Sequence, residues 1–106
     1  MPSRYYPAFL DIKGRQAVIV GGGSMAETRA EGLVDAGARV TVISPRINDS
    51  LAGQLERGYI AWLDRQYQHG DLHHAWLAIA ATDDASVNAA VAAEAGEQSR
   101  RGPFRA

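Results

Sequence analysis

The chain of 106 residues has no cysteine. This excludes a disulfide scaffold, a cysteine zinc site, an iron–sulfur cluster and a thiol nucleophile. Neither sign of charge is in excess: 11 Lys and Arg stand against 12 Asp and Glu. Electrostatics therefore give no reason to expect nucleic acid as a partner. No apolar run approaches the ~20 residues that span a bilayer. Residues 1–13 show no charged stretch followed by a long apolar one, so no signal peptide is expected. Internal repeats, linkers and low-complexity tracts are also lacking. The expectation is one cytoplasmic domain without membrane contact, because the length leaves no room for two. A hydrophobic fraction of 46% marks a chain that buries a core.

What is present is an alternation of short apolar runs with helical stretches. Gln16–Val20 reads Q-A-V-I-V and runs into Gly21-Gly22-Gly23. A continuous apolar run bounded by glycine fits a strand buried on both faces. Ser24 is placed to cap a helix over residues 25–36, with Ala26, Ala30, Leu33 and Val34 toward the sheet and Gly37 as terminator. Arg39–Ile43 is a second strand, ended by Ser44-Pro45. Residues 48–57 read as a helix capped by Asn48 or Asp49 and stopped by Gly58. Residues 59–63 are a third strand, 66–74 a polar turn-rich stretch, and 76–81 a fourth strand. Asp84 can then cap a helix through Ala95. The remainder, 96–106, is polar, so the domain is expected over 1–98 with a tail over 99–106. Residues 5–11 are apolar enough to pack on the sheet, but Pro7 keeps them from being a central strand.

Strands alternating with helices call for an α/β fold with a parallel sheet of about four strands and right-handed crossovers. Gly21-Gly22-Gly23-Ser24-Met25-Ala26 fits G-x-G-x-x-[G/A] between a strand and a helix, the context that a dinucleotide fingerprint requires. Gly21 permits the tight turn, Gly23 lets a pyrophosphate approach the backbone, and Ala26 lets the helix pack closely. Gly22 is not demanded by the pattern and adds backbone access. The N–H groups at the helix start meet the phosphate charge. The plain alternative is a glycine turn that only shortens the loop. Together these features describe a three-layer Rossmann-like NAD(P)-binding fold.

An acidic residue for the ribose usually ends the second strand, about 20 residues on. Here Ser44-Pro45-Arg46 stands there. Ser44 can bond a ribose hydroxyl. Arg46 can pair with a 2′-phosphate, which would favour NADP, or be solvated. The choice between NAD and NADP is open on these grounds. In the order 3-2-1-4, the loop after the fourth strand faces the glycine loop. Ala81 and Thr82 can then offer backbone groups, and Asp83 is the best-placed carboxylate for a ribose or a substrate. Asp83 and Asp84 read otherwise as helix caps. His69 and His73, spaced i, i+4, stand near His74 and Asp71, but a polar turn promises no second-shell order, so a metal site is not expected. Trp62 and Trp76 read as core or sheet-face residues. Arg100, Arg101 and Arg105 read as a solvated tail. No catalytic residue is assigned.

The stretches F-L-D-I-K-G-R, V-I-V-G-G-G-S-M-A and G-L-V-D-A-G-A-R-V-T-V-I-S-P, with A-W-L-A-I-A-A-T-D-D-A-S-V-N, resemble the N-terminal domain of siroheme synthase. That is the precorrin-2 dehydrogenase family, often fused to sirohydrochlorin ferrochelatase activity. The resemblance covers residues 6–95. It implies an NAD-binding domain of siroheme biosynthesis that oxidises precorrin-2 to sirohydrochlorin. It implies NAD contacts at Gly21, Gly22, Gly23, Ser24 and Met25, at Ser44, Pro45 and Arg46, and at Ala81, Thr82 and Asp83. Two departures stand out. Thr28-Arg29 replaces the family's Arg-Lys pair, and the sequence given carries no N-V-V-D strand, whose aspartate is the family's proposed base. The chain by itself is therefore expected not to turn over precorrin-2 at a useful rate; the alternative function is a non-catalytic dinucleotide-binding module or truncated paralogue. The open edge of the fourth strand is expected to pair two copies as a homodimer.

Overall fold

The computed structural model describes residues 12–99. Among these, four strands form one parallel sheet: β1 (Gln16–Val20), β2 (Arg39–Ile43), β3 (Ile60–Leu63) and β4 (Leu77–Ala80), in the order β3-β2-β1-β4. Three helices accompany them: α1 (Ser24–Asp35), α2 (Asp49–Glu56) and α3 (Ala85–Ser99). The register centres on Ile19, flanked by Val42 on one side and Ile79 on the other. This is the expected α/β Rossmann-like fold.

The sheet has two apolar faces because both are covered. Side chains alternate along a strand. Ala17 and Ile19 of β1 join Val40 and Val42 against Ala26, Ala30 and Leu33 of α1 and Leu51 of α2. Val18 and Val20 project to the other face, where Val91 and Ala95 of α3 meet them. Among the described residues, that second face carries one helix, α3. The rest of it is closed by the crossover from β3 to β4, whose Leu72 is fully buried there beside Ala75 and Ala78.

Several boundaries differ from the sequence expectation, each for a local reason. The cap of α1 is Gly23, without a side-chain bond, and Ser24 lies inside the first turn, where its carbonyl accepts from the Thr28 hydroxyl at 3.1 Å. Asn48, not Asp49, caps α2: its Oδ1 accepts from Leu51 N at 2.9 Å. The last helix does not stop at Ala95 but runs through Gly96 to Ser99. One glycine costs a helix only about 1 kcal/mol, and Val91, Glu94 and Ala95 anchor the preceding turn in the core. Residues 5–11 and the arginine tail beyond 99 lie outside the described residues. The β4 ladder reaches one residue further each way, with Trp76 N on Gln16 O and Ala81 N on Val20 O, both at 2.8 Å. Trp62 and Trp76 pack half-buried on the core, as expected, and the Arg15 guanidinium lies 4.7 Å above the Trp76 ring.

The crossover over residues 64–76 contains no helix. It is held by a two-point pair, Arg65 Nη1 and Nη2 on Asp71 Oδ2 and Oδ1, each at 2.8 Å. Gln68 N adds a bond to Asp71 Oδ2 at 2.7 Å. Arg65 and this backbone N–H hold the Asp71 carboxyl below its ordinary value.

Two expected outcomes follow from this crossover. Leu72→Ala should cost about 2–5 kcal/mol in chemical denaturation, since a fully buried leucine leaves a cavity. Asp71 should stabilise the fold at pH values above the ordinary carboxylate pKa, and that contribution should vanish as the pH falls through its depressed native value. Asp71→Asn should therefore lower the melting temperature at neutral pH and flatten its acid limb. Melts of the two proteins that run parallel from neutral to acid pH would contradict this account.

Candidate functional site

The carboxyl edge of the sheet bears a cleft of about 440 Å³. The chain leaves β1 toward α1 on one face and leaves the adjacent β4 toward α3 on the other. Such a switch of faces opens a crevice between the two loops, where open α/β sheets take ligands. The walls are the glycine loop after β1, Ser44-Pro45 after β2, Gln66-Tyr67 after β3 and residues 81–84 after β4, with Val87 from α3.

The three glycines of the loop are not equivalent. Gly21 has φ +136°, and a Cβ there would lie 2.2 Å from the Ala81 carbonyl oxygen. At Gly22 a Cβ would lie 1.8 Å from the Arg46 carbonyl oxygen and 2.8 Å from Ser44 Oγ. Gly23 alone faces open space, with no atom within 4 Å of such a Cβ. The first two glycines thus let the neighbouring loops touch the β1 loop, backbone to backbone. At the third, the side of the backbone where a Cβ would stand is open. Gly22, expected to add backbone access, lines the cleft and also lets the β2 turn pack on the loop.

The first ladder bond of α1 runs from Glu27 N to Gly23 O at 2.9 Å. The N–H groups before it, those of Ser24, Met25 and Ala26, have no partner in the helix ladder, and no side chain caps them. Ser24 and Met25 line the cleft, and Met25 is exposed at its mouth. Below, Asn48 joins three elements. Its N–H donates to Gly22 O, its Nδ2 donates to Glu27 Oε1, and its Oδ1 caps α2, all at 2.9 Å.

At the end of β2, Ser44 is buried, and its hydroxyl donates to Arg46 O at 2.6 Å and accepts from Arg46 N at 3.3 Å. The hydroxyl shapes the turn over Gly22 and is already committed. Pro45 contributes to the wall. Arg46 does not: its side chain is exposed outside the lining, and only its carbonyl packs on the glycine loop. The Trp62 indole N–H donates to Ser44 O at 2.8 Å and fixes this turn from the β3 side.

After β4, Thr82 and Asn88 clamp each other. The Thr82 hydroxyl donates to Asn88 Oδ1 at 2.7 Å, and Asn88 Nδ2 donates to Thr82 O at 3.0 Å. Asp84 caps α3 through Oδ1, which accepts from Ser86 N at 2.9 Å and the Ser86 hydroxyl at 2.6 Å. These Ser86 bonds, with one from Val87 N, hold its carboxyl below its ordinary value. Asp83 is left exposed on the cleft wall, pointing no bond at the protein that fixes it elsewhere. Asp84 therefore takes the capping role and Asp83 is the carboxylate available to a ligand.

Sequence reading missed Gln66, Tyr67 and Val87 in the wall. A signal existed for the first two. In the order 3-2-1-4 the crossover from β3 must pass over β2 and β1 to reach β4, so its start has to cross the carboxyl edge. The histidines do not converge. His69 Nε2 meets Glu97 Oε1 at 3.1 Å, the His73 and His74 rings contact each other at 4.6 Å between centroids, and Asp71 is paired with Arg65.

Residues 8–104 match the model of an NAD(P)-binding family. The chain is 46% identical over 93 residues to a siroheme synthase of Azotobacter vinelandii, across 88% of this chain and 20% of that protein. It is 42% identical over 87 residues to siroheme synthase 1 of Aeromonas salmonicida, across 82% of this chain and 19% of that protein. Among solved structures it superposes on SirC, a precorrin-2 dehydrogenase, with a TM-score of 0.74 and 30% identity, over 77% of this chain and 41% of that one. The chain thus spans about a fifth of the length of the curated relatives it matches. With a glycine loop open to a ligand at one position, a parallel sheet switching faces beside it and a family match over nearly its whole length, the chain belongs to the NAD(P)-binding family.

Proposed function

We propose that the chain holds NAD in the cleft and serves the oxidation of precorrin-2 to sirohydrochlorin. The observation that carries the reading is the open surface at Gly23, directly after two glycines that pack against loop carbonyls. A pyrophosphate fits this surface: the position is free of side chains and the unbonded N–H groups of Ser24 and Met25 lie beside it. The adenosine end then lies toward Ser44-Pro45 and the nicotinamide end toward Ala81, Thr82 and Asp83. NAD supplies the hydride acceptor of such a dehydrogenation. The residues of this chain bind and orient it. Asp83 offers its carboxylate to a ribose or to the substrate, while the Thr82–Asn88 clamp keeps that loop in place.

The turn after β2 leaves room for NADP as well as NAD. It carries no carboxylate to repel a 2′-phosphate, and Arg46 is exposed nearby. The relatives named siroheme synthase and precorrin-2 dehydrogenase support the tetrapyrrole substrate. We assign no catalytic base to the described residues. A cytoplasmic setting and a homodimer paired through β4, which ends the sheet among the described residues, belong to the same reading. No helix among the described residues is long and apolar enough to cross a membrane.

Gly23→Val tests the carrying observation. The site has room for the side chain, so the variant should melt like the wild type yet bind NAD at least about tenfold more weakly, because the pyrophosphate loses its approach. Gly21→Val, by contrast, should destabilise the fold through its collision with the Ala81 carbonyl. Calorimetry of folded wild type that shows no heat with NAD or NADP would sink the function. For association, light scattering at high micromolar concentration should give twice the chain mass, and a monomer mass would dismiss the homodimer.

A further inference from the structure

Beyond the half-buried Gln16–Thr41 pair, the second face of the sheet encloses one polar side chain completely among the described residues. Glu94 of α3 is fully buried between Val91 and Ala95, with no exposed surface. A buried carboxylate is costly unless its lone pairs are answered. Here they are answered from a single direction. Oε1 accepts from the Tyr67 hydroxyl and from Gly70 N at 3.0 Å, and Oε2 accepts from Leu72 N at 3.1 Å. All three donors belong to the crossover between β3 and β4. Glu94 thus does the work that a helix would do there, by fixing a bare loop on the sheet.

What the loop presents as a result is the Tyr67 ring. It packs on the second-face core and lines the cleft beside Gln66. It follows β3, the outer neighbour of β2, and so stands near Ser44 and Pro45. In folds of this kind the ribose of the adenosine half lies at the end of the second strand. We propose that Tyr67 is the wall on which the adenine end of the dinucleotide packs, and that Glu94 is the positioning residue that holds this wall through the Tyr67 hydroxyl. The proposal rests on the dinucleotide reading above. Burial and the Glu94 carboxylate push the Tyr67 hydroxyl up, so it stays protonated and donating at neutral pH. The ring is therefore held by a directed bond.

The test uses the full chain with NAD and with ADP-ribose, which keeps the adenine end and lacks the nicotinamide. Tyr67→Phe keeps the ring and removes the donor. It should weaken both ligands equally, by about threefold to tenfold, the usual effect of one hydrogen bond. Glu94→Gln should weaken both ligands at least as much, because it also disturbs the bonds from Gly70 N and Leu72 N, and adding Tyr67→Phe to it should cost less than Tyr67→Phe costs alone, since the bond between the two side chains is lost only once. Tyr67→Ala should be weaker than Tyr67→Phe. If Glu94→Gln does not fold, the comparison of Phe with Ala at position 67 decides. A loss confined to NAD, additive losses in the double variant, or a Tyr67→Ala protein that binds ADP-ribose like the wild type would each overturn the proposal. Wild-type protein that binds neither ligand would remove the dinucleotide reading and this proposal with it; intact wild-type binding with unaffected variants removes this proposal alone.

Discussion

The cleft depends on backbone packed against backbone. Where a side chain would normally hold two loops apart, Gly21 and Gly22 let the carbonyls of Ala81 and Arg46 come within touching distance of the β1 loop. The loops after β1, β2 and β4 become one rigid rim as a consequence. A methyl group at either position would push the rim open and move every wall of the cleft at once. The sheet beneath supplies most of the burial, but this contact decides the shape of what lies above it.

Each loop on that rim is then stapled by a polar residue from elsewhere. Asn48 ties the glycine loop to α1 and α2, Trp62 ties the β2 turn to β3, and Asn88 ties the β4 loop to α3. Arg65–Asp71 and Glu94 secure the crossover. The division of labour is physical. Apolar packing and the backbone ladder fix the strands, whereas the loops beyond them have neither and are fixed in direction by side-chain hydrogen bonds. A sheet face covered in part by a helix-free crossover needs such fixings, since the core alone does not specify loop positions.

The parts legible in the sequence were those that depend on neighbours along the chain. Q-A-V-I-V and R-V-T-V-I carry unbroken or alternating β-branched apolar residues because helices or crossover cover the sheet, and the glycine triplet stands where a strand meets a helix. The roles within the triplet were not legible. They depend on carbonyls of residues 46 and 81, brought near only by the finished sheet. Ser44 looked available for a ribose because nothing local shows that its hydroxyl is spent on Arg46. Tyr67 was hidden for a similar reason. It sits in a polar stretch with no period, and its partner Glu94 lies on a helix whose alanine-rich pattern gives no sign of a buried carboxylate. The Asp83–Asp84 pair was half legible: one cap suffices for a helix, and geometry alone assigns that task to Asp84.

The bond from the Trp62 indole to the Ser44 carbonyl has an optical consequence. An indole's emission responds to the strength of its N–H bond and to charges placed near the ring. Trp62 is coupled in this way to the turn that forms one wall of the cleft and closes over Gly22. The chain therefore carries a built-in fluorescent reporter, wired to the rim through a single backbone carbonyl, while Trp76 sits beneath the Arg15 guanidinium at the opposite, amino end of the strands and serves as an internal reference.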